Sequence, residues 1–207
     1  LKQLTADLVE ASKISSGNVK LDMQVIDLVE LVYQTSGEFN EKFEQKELTI
    51  VTKLPKTAVL IRADGRQLYR VIENLYNNVA KYALEKTRVY VDIAYVEEKV
   101  VFSIKNVSEH SLARENSNAG DLTERFIRGD SSRTTEGSGL GLSIAKSLTV
   151  LMGGVFDIKV DGDLFKASIT FPQYVDENSS NPKMEEPASE DDYEIEELEP
   201  EERTEEE

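Results

Sequence analysis

The sequence contains no cysteine, which excludes disulfide bonds, zinc–thiolate sites and catalysis by a thiol. It also lacks any apolar run near the roughly 18 residues that a membrane-spanning helix requires. No secretory signal peptide is visible at the start of the chain. These absences are compatible with a domain that works in a reducing, aqueous compartment.

A basic excess is missing as well, because the chain has a formal net charge of -16. The residues from Asp176 to Glu207 include sixteen acidic and two basic side chains, so this tail carries -14 of the total. The rest of the chain is nearly neutral, at -2, and offers no broad electrostatic footprint for nucleic acid. A segment with this composition can bury too little apolar surface to offset the conformational entropy that it would lose on folding. We expect residues 174–207 to be a disordered acidic tail, which serves as a solvated spacer or as a docking segment for a partner.

Hydrophobic periodicity divides the body of the chain into helices and strands. Apolar residues that recur every three or four positions predict helices over 23–46, 66–84 and 139–152. Shorter alternating or apolar runs predict strands over 48–54, 58–63, 88–95, 99–105, 155–160 and 164–171. We expect an α+β two-layer sandwich, in which a mixed, mostly antiparallel sheet of about five strands carries three helices on one face. The polar loop 107–136 is long enough to indicate a functional or mobile segment.

The helix predicted over 66–84 carries a polar stripe beside its apolar face. At about 100° per residue, Asn74, Asn78 and Lys81 lie on one side as stacked neighbours. An amide oxygen can complete the octahedral shell of a magnesium ion, and an ammonium group can neutralise phosphate charge. The stripe therefore suits a metal–triphosphate, although an ordinary amphipathic helix with a solvated polar face has the same pattern.

A glycine-rich segment opens the last predicted helix, with the residues Gly137, Ser138, Gly139, Leu140, Gly141 and Leu142. Glycines let the backbone approach a phosphate, and a helix N-terminus offers free N–H groups and a positive dipole end. No Gly-Lys-Ser/Thr follows, which excludes a Walker loop, and a long polar loop precedes it, which excludes the dinucleotide-binding pattern. The alternative is a glycine-rich helix start without a ligand.

The long loop contains a hydrophobic anchor, Phe126, next to guanidinium groups. If the loop closes, Arg128 is placed to reach a terminal phosphate. A surface turn with ordinary charges is the alternative interpretation.

The order of these motifs resembles the catalytic domain of sensor histidine kinases. An asparagine helix, a strand pair, a long loop with Phe-x-Arg and a Gly-x-Gly-Leu-Gly-Leu helix follow one another as in that family. The family belongs to a wider ATPase group that includes DNA gyrase B and the mismatch-repair ATPases. The resemblance covers about residues 20–172, and it implies the α+β sandwich already expected, with the long loop as an ATP lid.

The resemblance also implies roles for the matching residues. Asn78 would coordinate Mg²⁺, Glu73 would help to activate the phosphate acceptor, and Lys81 and Arg128 would offset charge during transfer. ATP would be bound by the set Asn74, Asn78, Lys81, Tyr82, Asn106, Arg128, Gly137, Ser138, Gly139, Leu140, Gly141 and Leu142.

One motif departs from the family pattern at Asn106. Relatives usually have Asp-x-Gly-x-Gly there, and the aspartate accepts a hydrogen bond from the adenine amino group. An asparagine oxygen can accept the same bond without charge assistance, but both glycines are missing. Asn106 is therefore either an altered adenine contact or merely the end of a strand.

The phosphate acceptor is the second departure. The family phosphorylates a histidine on a helical hairpin, whereas His110 lies in the polar loop. Residues 1–18 resemble the end of that hairpin, so the expected organisation is a dimerisation-helix end at 1–18, a catalytic domain at 19–173 and the tail at 174–207. The acceptor helix would precede Leu1 in a longer protein.

The resemblance thus implies transfer of the terminal phosphate of Mg-ATP to a histidine outside this chain. Its implied partners are ATP, the acceptor hairpin and a response regulator, with a homodimeric parent protein anchored in the cell membrane and this domain in the cytoplasm. The missing glycines leave open a degenerate nucleotide-sensing or docking module. A related ATPase that hydrolyses ATP is a further alternative.

Overall fold

The computed structural model describes Ser12 and residues 19–109, 140–175 and 193–198. Its elements follow in the order β1 (Gln24–Asp27), α1 (Leu28–Glu44), β2 (Thr49–Pro55), β3 (Leu60–Ala63), α2 (Gly65–Tyr82), β4 (Arg88–Val96), β5 (Lys99–Val107), α3 (Gly141–Leu151), β6 (Val155–Asp161), β7 (Leu164–Pro172) and β8 (Tyr193–Leu198).

Six of these strands form the main sheet, in the order β6-β7-β5-β4-β2-β8. The pairing of β2 with β4 is parallel, and the other pairings within this sheet are antiparallel. The two remaining strands, β1 and β3, form a separate antiparallel pair. The expected mixed, mostly antiparallel α+β sandwich with three helices is therefore confirmed.

One face of the sheet supplies the core, because side chains alternate between the two faces of a strand. The inward residues of β4 and β7 are fully or nearly fully buried: Val89, Val91, Ile93, Phe165, Ala167, Ile169 and Phe171. The outward neighbours Arg88 and Tyr90 are exposed. The helices cover the apolar face, where the rings of Phe39 and Tyr76 join α1 to α2 with centroids 5.3 Å apart.

The first helix begins later than the sequence pattern predicts, at Leu28 instead of residue 23. Residues 24–27 pair with β3 as a short strand. Asp27 ends this strand and caps the helix, since its Oδ1 accepts hydrogen bonds from Val29 N at 3.0 Å and from Val59 N at 3.1 Å. The cap is the local reason for the later start.

The prediction of a disordered tail is wrong for residues 193–198, which form β8 along the free edge of β2. The main sheet consequently has six strands instead of about five. Composition indicated disorder because the segment buries little apolar surface, but an open strand edge also offers backbone hydrogen bonds. None of the helices in the described parts of the chain is long and apolar enough to cross a membrane.

Candidate functional site

Helix α2 carries the asparagine stripe and is anchored at its start by Asp64. The Asp64 carboxylate accepts hydrogen bonds from Gln67 N at 3.1 Å and from Asp22 N at 2.9 Å. Burial alone would raise the pKa of Asp64, but the backbone N–H groups of Asp22, Gln67 and Arg66 outweigh it and lower the pKa. The apolar face of the helix is buried through Leu68, Val71, Ile72, Leu75 and Val79. The register of the polar stripe is thereby fixed.

Helix α3 packs directly against this stripe at Asn74. A methyl group on Gly141 would lie only 3.1 Å from Asn74 Oδ1, which is tighter than ordinary van der Waals contact. The other end of the amide is held as well, because Asn74 Nδ2 donates to Arg70 O at 2.9 Å. The structure thus brings the asparagine helix and the glycine-led helix together, as the sequence motifs required.

The N-terminus of α3 carries no side-chain cap at Leu140. Ser143 Oγ instead donates to Leu140 O at 2.7 Å, so this hydroxyl is directed to a carbonyl. Leu142 is buried and fixes the first turn in the core. The first-turn N–H groups of a helix have no intrahelical acceptor, and together with the helix dipole they favour an anion.

The C-terminal end of α2 is joined to the end of β5. Glu109 N donates to Tyr82 O and Leu84 N donates to Val107 O, each at 2.9 Å, and Ala83 forms a β-bridge with Ser108. These contacts bring Asn106 to the same end of the site as Tyr82. Lys81 lies beside it, with Nζ 4.9 Å from the centroid of the Tyr82 ring.

Asn106 has one half of its amide paired and the other half unpaired. Its Nδ2 donates to Val107 O at 2.9 Å. Its Oδ1 is buried and has no hydrogen-bond partner among the described residues, while the whole side chain is only 3% exposed. A buried acceptor without a donor costs free energy, so this oxygen is suited to a ligand that brings an N–H group.

Lys46 is a basic residue at this end that the sequence patterns did not single out. Its Nζ donates to Lys81 O at 3.0 Å and to Ala83 O at 3.2 Å, and it lies 3.9 Å from Glu109 Oε2. A cation there satisfies carbonyls at the negative end of α2. The residue follows α1 in a turn, where periodicity carries no signal.

The structure describes only some of the remaining site residues that the sequence predicts. Glu73 is ion-paired with Arg70, with 3.0 Å between Oε2 and Nη1. Asn78 is half-buried, and within the described ranges its side chain forms no hydrogen bond. The predicted residues outside the described parts of the chain are Arg128, Gly137, Ser138 and Gly139, together with most of the long loop.

The sequence of this chain is similar to those of known proteins. A model of the family described as "Histidine kinase-, DNA gyrase B-, and HSP90-like ATPase" matches residues 63–183. The circadian input-output histidine kinase CikA of Synechococcus elongatus is 27% identical over 163 residues, which is 77% of this chain and 21% of CikA. The sensor histidine kinase WalK of Bacillus subtilis is 25% identical over 173 residues, or 82% of this chain and 28% of WalK.

A solved structure shares the fold. Full-length ShkA in complex with AMPPNP matches with a TM-score of 0.68 and 21% identity, over 82% of this chain and 35% of ShkA. The chain spans less than a third of the length of CikA or of WalK. Since the family model matches more than half of the chain, the chain belongs to the histidine kinase-, DNA gyrase B- and HSP90-like ATPase family.

Proposed function

We propose that this domain binds Mg-ATP and transfers its terminal phosphate to a histidine outside the chain, as the catalytic part of a sensor histidine kinase. The single observation that carries the proposal is the contact between Asn74 and Gly141. It places the asparagine stripe of α2 beside a helix N-terminus that has no side-chain cap at Leu140. Each half is common alone, but the pair offers both a metal ligand and an anion site in one cleft.

The adenine would occupy the end of the cleft near Asn106. The unpaired, buried Oδ1 of Asn106 matches the exocyclic amino group of adenine, which needs an acceptor. Tyr82 and Lys81 lie at the same end and would contact the nucleotide. The family resemblance assigns the acceptor role to an aspartate, and the asparagine oxygen supplies the same lone pair without a charge.

The phosphates would lie between α2 and the start of α3. The half-buried Asn78, with no side-chain hydrogen bond to the described residues, offers a neutral oxygen of the kind that Mg²⁺ accepts beside water and phosphate oxygens. Bound magnesium would supply charge neutralisation on the phosphates. Lys81 and Arg128 would add positive charge, and Gly137, Ser138, Gly139, Leu140, Gly141 and Leu142 would present backbone N–H groups.

Phosphoryl transfer depends mainly on positioning and on charge stabilisation. Glu73 would orient the incoming histidine, and its ion pair with Arg70 at 3.0 Å would fix the direction of that carboxylate. The acceptor would be provided by the helical hairpin of a parent protein, which we propose to be a membrane-anchored homodimer with this domain in the cytoplasm. A response regulator would receive the phosphate.

Magnesium-dependent binding of ATP tests the proposal, measured by calorimetry with and without Mg²⁺. We expect Asn78→Ala to weaken Mg-ATP binding at least about tenfold, because the amide ligand is lost. Asn77→Ala is the matched control, since Asn77 lies on the same helix but is exposed and bonded to Lys42. Folding of both variants is checked by circular dichroism.

Unchanged Mg-ATP affinity in a folded Asn78→Ala variant would contradict the magnesium assignment. The absence of any binding heat at millimolar nucleotide in the unaltered chain would favour a docking module without a nucleotide. Steady release of phosphate by this chain alone would point to a hydrolase, whereas label transfer to an added acceptor hairpin of the parent protein would support the kinase.

A further inference from the structure

The outer edge of β2 is a strong template for strand addition. Its residues read Thr-Ile-Val-Thr-Lys-Leu-Pro, so four of the seven are β-branched and Lys53 is the only charged residue. If such a weakly charged edge were left uncovered, its N–H and C=O groups would be unpaired and it would pair readily with another chain.

In the structure, β8 covers this edge from Ile50 to Pro55. The register runs antiparallel from Ile50 opposite Leu198 to Pro55 opposite Tyr193. Thr52 Oγ1 adds a hydrogen bond to Glu196 O at 3.4 Å. The strand belongs to the acidic tail, so the tail has a defined position at this point.

Side-chain contacts hold β8 from both faces of the sheet. On the helix side, Tyr33 donates its hydroxyl hydrogen to Glu194 Oε2 at 2.9 Å. On the outer face, Arg88 Nε lies 2.9 Å from Glu197 Oε1, and Lys53 Nζ lies 4.9 Å from the centroid of the Tyr193 ring. All of these contacts are polar or charged.

The side chains of β8 whose burial the structure describes, residues 193–197, bury little apolar surface. Ile195 is 62% exposed, and the Arg88–Glu197 pair is exposed on both sides. Exposed ion pairs contribute little to stability and are screened by salt. For residues 193–197, backbone pairing therefore contributes most of the attachment, and we expect β8 to detach without disturbing the core.

The composition of β8 makes its own free edge a poor template. Three of its six residues are Glu194, Glu196 and Glu197, so a second acidic strand beside them would meet like charges. With β8 in place, the sheet ends in an acidic strand that disfavours strand addition, instead of in the β2 edge that favours it. This accounts for acidic residues in a strand, where composition alone disfavours them.

We propose that β8 is a built-in cover that prevents the β2 edge from pairing with the β2 edge of a second copy of this chain. In an antiparallel β2–β2 pair centred on Thr52, Lys53 would lie opposite Val51 and Leu54 opposite Ile50. No like charges would then oppose each other, and a continuous sheet would cross the two copies. Release of β8 exposes this interface.

The test uses the full chain with Ile195→Pro and Glu196→Pro together. Adjacent residues of an antiparallel strand alternate in their hydrogen bonding, so two consecutive prolines remove at least one ladder bond in either register. Ile195→Ala with Glu196→Ala is the matched control, because it also removes the isoleucine and glutamate side chains but keeps both backbone N–H groups. Mass is measured by sedimentation and β2 protection by amide hydrogen exchange.

We expect the unaltered chain and the alanine control to stay monomeric from ~1 to ~200 µM, while the proline variant dimerises as its concentration rises. At the lowest concentration, amide exchange at those residues of 49–54 whose N–H groups face β8 should be at least about tenfold faster in the proline variant. Nucleotide binding and the melting temperature of the core report that the fold is intact, independently of the proposed kinase activity.

Three results would overturn the proposal. The proline variant could remain monomeric while its β2 amides exchange fast, which would show that a second copy does not pair with the uncovered β2 edge. It could be a monomer whose β2 amides remain fully protected from exchange, which would show that β8 is not what covers the β2 edge. The unaltered chain could itself dimerise and lose that dimer in the proline variant, which would show strand exchange between copies instead of an intramolecular cover.

Discussion

At the scale of single residues, Asn106 combines a structural cost with a proposed binding role. Its buried Oδ1 lacks a partner among the described residues, so the side chain is not optimised for stability. Its Nδ2 donates to Val107 O, but that carbonyl also accepts from Leu84 N at 2.9 Å. Removing the amide would therefore leave Val107 O satisfied.

Replacement of Asn106 by leucine separates these two contributions. We expect Asn106→Leu to change the free energy of unfolding by less than about 1 kcal/mol, because an unpaired buried acceptor is removed. Nucleotide affinity should fall at least about tenfold, since the adenine amino group loses its acceptor. Urea unfolding and calorimetry with ATP measure the two effects. A large loss of stability with unchanged affinity would reverse the interpretation of Asn106.

A second residue-scale prediction concerns Tyr33 at the β8 attachment. Burial, followed by its hydrogen bond to Glu194 and the nearby negative charges, raises the pKa of Tyr33 to about 12. Because the pKa of the Tyr33 phenol is raised when β8 is attached, the neutral form of the phenol favours the attachment. This contribution is complete below the ordinary pKa near 10 and is lost as the pH rises through about 12.

The paired proline substitutions in β8 should therefore lower the pKa of Tyr33 toward about 10. Tyr69 does not contact β8 and has a pKa raised to about 12 by its bond to Glu38 and by burial, so it serves as the internal control. Labelled tyrosine rings followed by NMR across pH 9–13, with assignment by Tyr33→Phe, would measure both. An unshifted Tyr33 would mean that β8 remains attached.

At the scale of elements, α2 depends on its cap and on the close approach of α3. Asp64 caps α2 and also binds Asp22 N, so it joins the helix to the segment before β1. Gly141 provides the space that Asn74 occupies. The site is assembled by these two contacts, one at the N-terminus of α2 and the other between the middle of α2 and the N-terminus of α3.

Removal of the cap gives the first element-scale prediction. We expect Asp64→Asn and Asp64→Ala to destabilise the domain at pH 7, the alanine variant by about 1 kcal/mol or more. Since its folded pKa is lowered from 3.8, the carboxylate contributes stability above the unfolded value and loses it as pH falls through the lower folded value. The difference between the unaltered chain and Asp64→Asn in urea unfolding should therefore shrink in acid. An unchanged difference at low pH would mean that the charge is not involved.

The helix contact gives the second element-scale prediction. Gly141→Ala places a methyl group 3.1 Å from Asn74 Oδ1, so we expect a loss of about 1 kcal/mol from crowding and weaker nucleotide binding. Gly37→Ala is the control, because Gly37 lies inside α1 with nothing near its missing side chain, and it should gain about 0.5–1 kcal/mol from helix propensity. Combining Gly141→Ala with Asn74→Ala should restore stability but not binding. Equal gains at both glycines in thermal unfolding would contradict the close packing.

At the scale of the whole molecule, the sheet has two edges that are treated differently. The β2 edge is covered by β8, and the exposed Val155 belongs to β6 at the other end of the sheet. The helices lie on one face, and the proposed nucleotide site lies between α2 and α3 on that side. The proposed self-association surface and the proposed active site are therefore separate features, which can be tested independently.

Much of the fold was readable from the sequence because the relevant signals are local. Periodicity located α1, α2 and α3, and alternating or apolar runs located β2 to β7, since both follow from the geometry of each element. The asparagine stripe and the glycine-led helix were likewise local motifs. The start of α1 was misplaced because residues 24–27 contain Val25 and Ile26, which fit a helical pattern and a strand equally well.

The sequence by itself determined the types of the elements and the chemistry that they carry: an amide-bearing helix, a glycine-led helix and an acidic tail. Only the tertiary structure decided which elements meet. It paired β3 with β1 outside the main sheet, set Gly141 against Asn74, and joined β8 to β2. It also buried the Oδ1 of Asn106 with no hydrogen-bond partner among the described residues. Strand pairing and helix packing connect residues far apart in the chain, and their energies depend on edges and surfaces that no local pattern encodes.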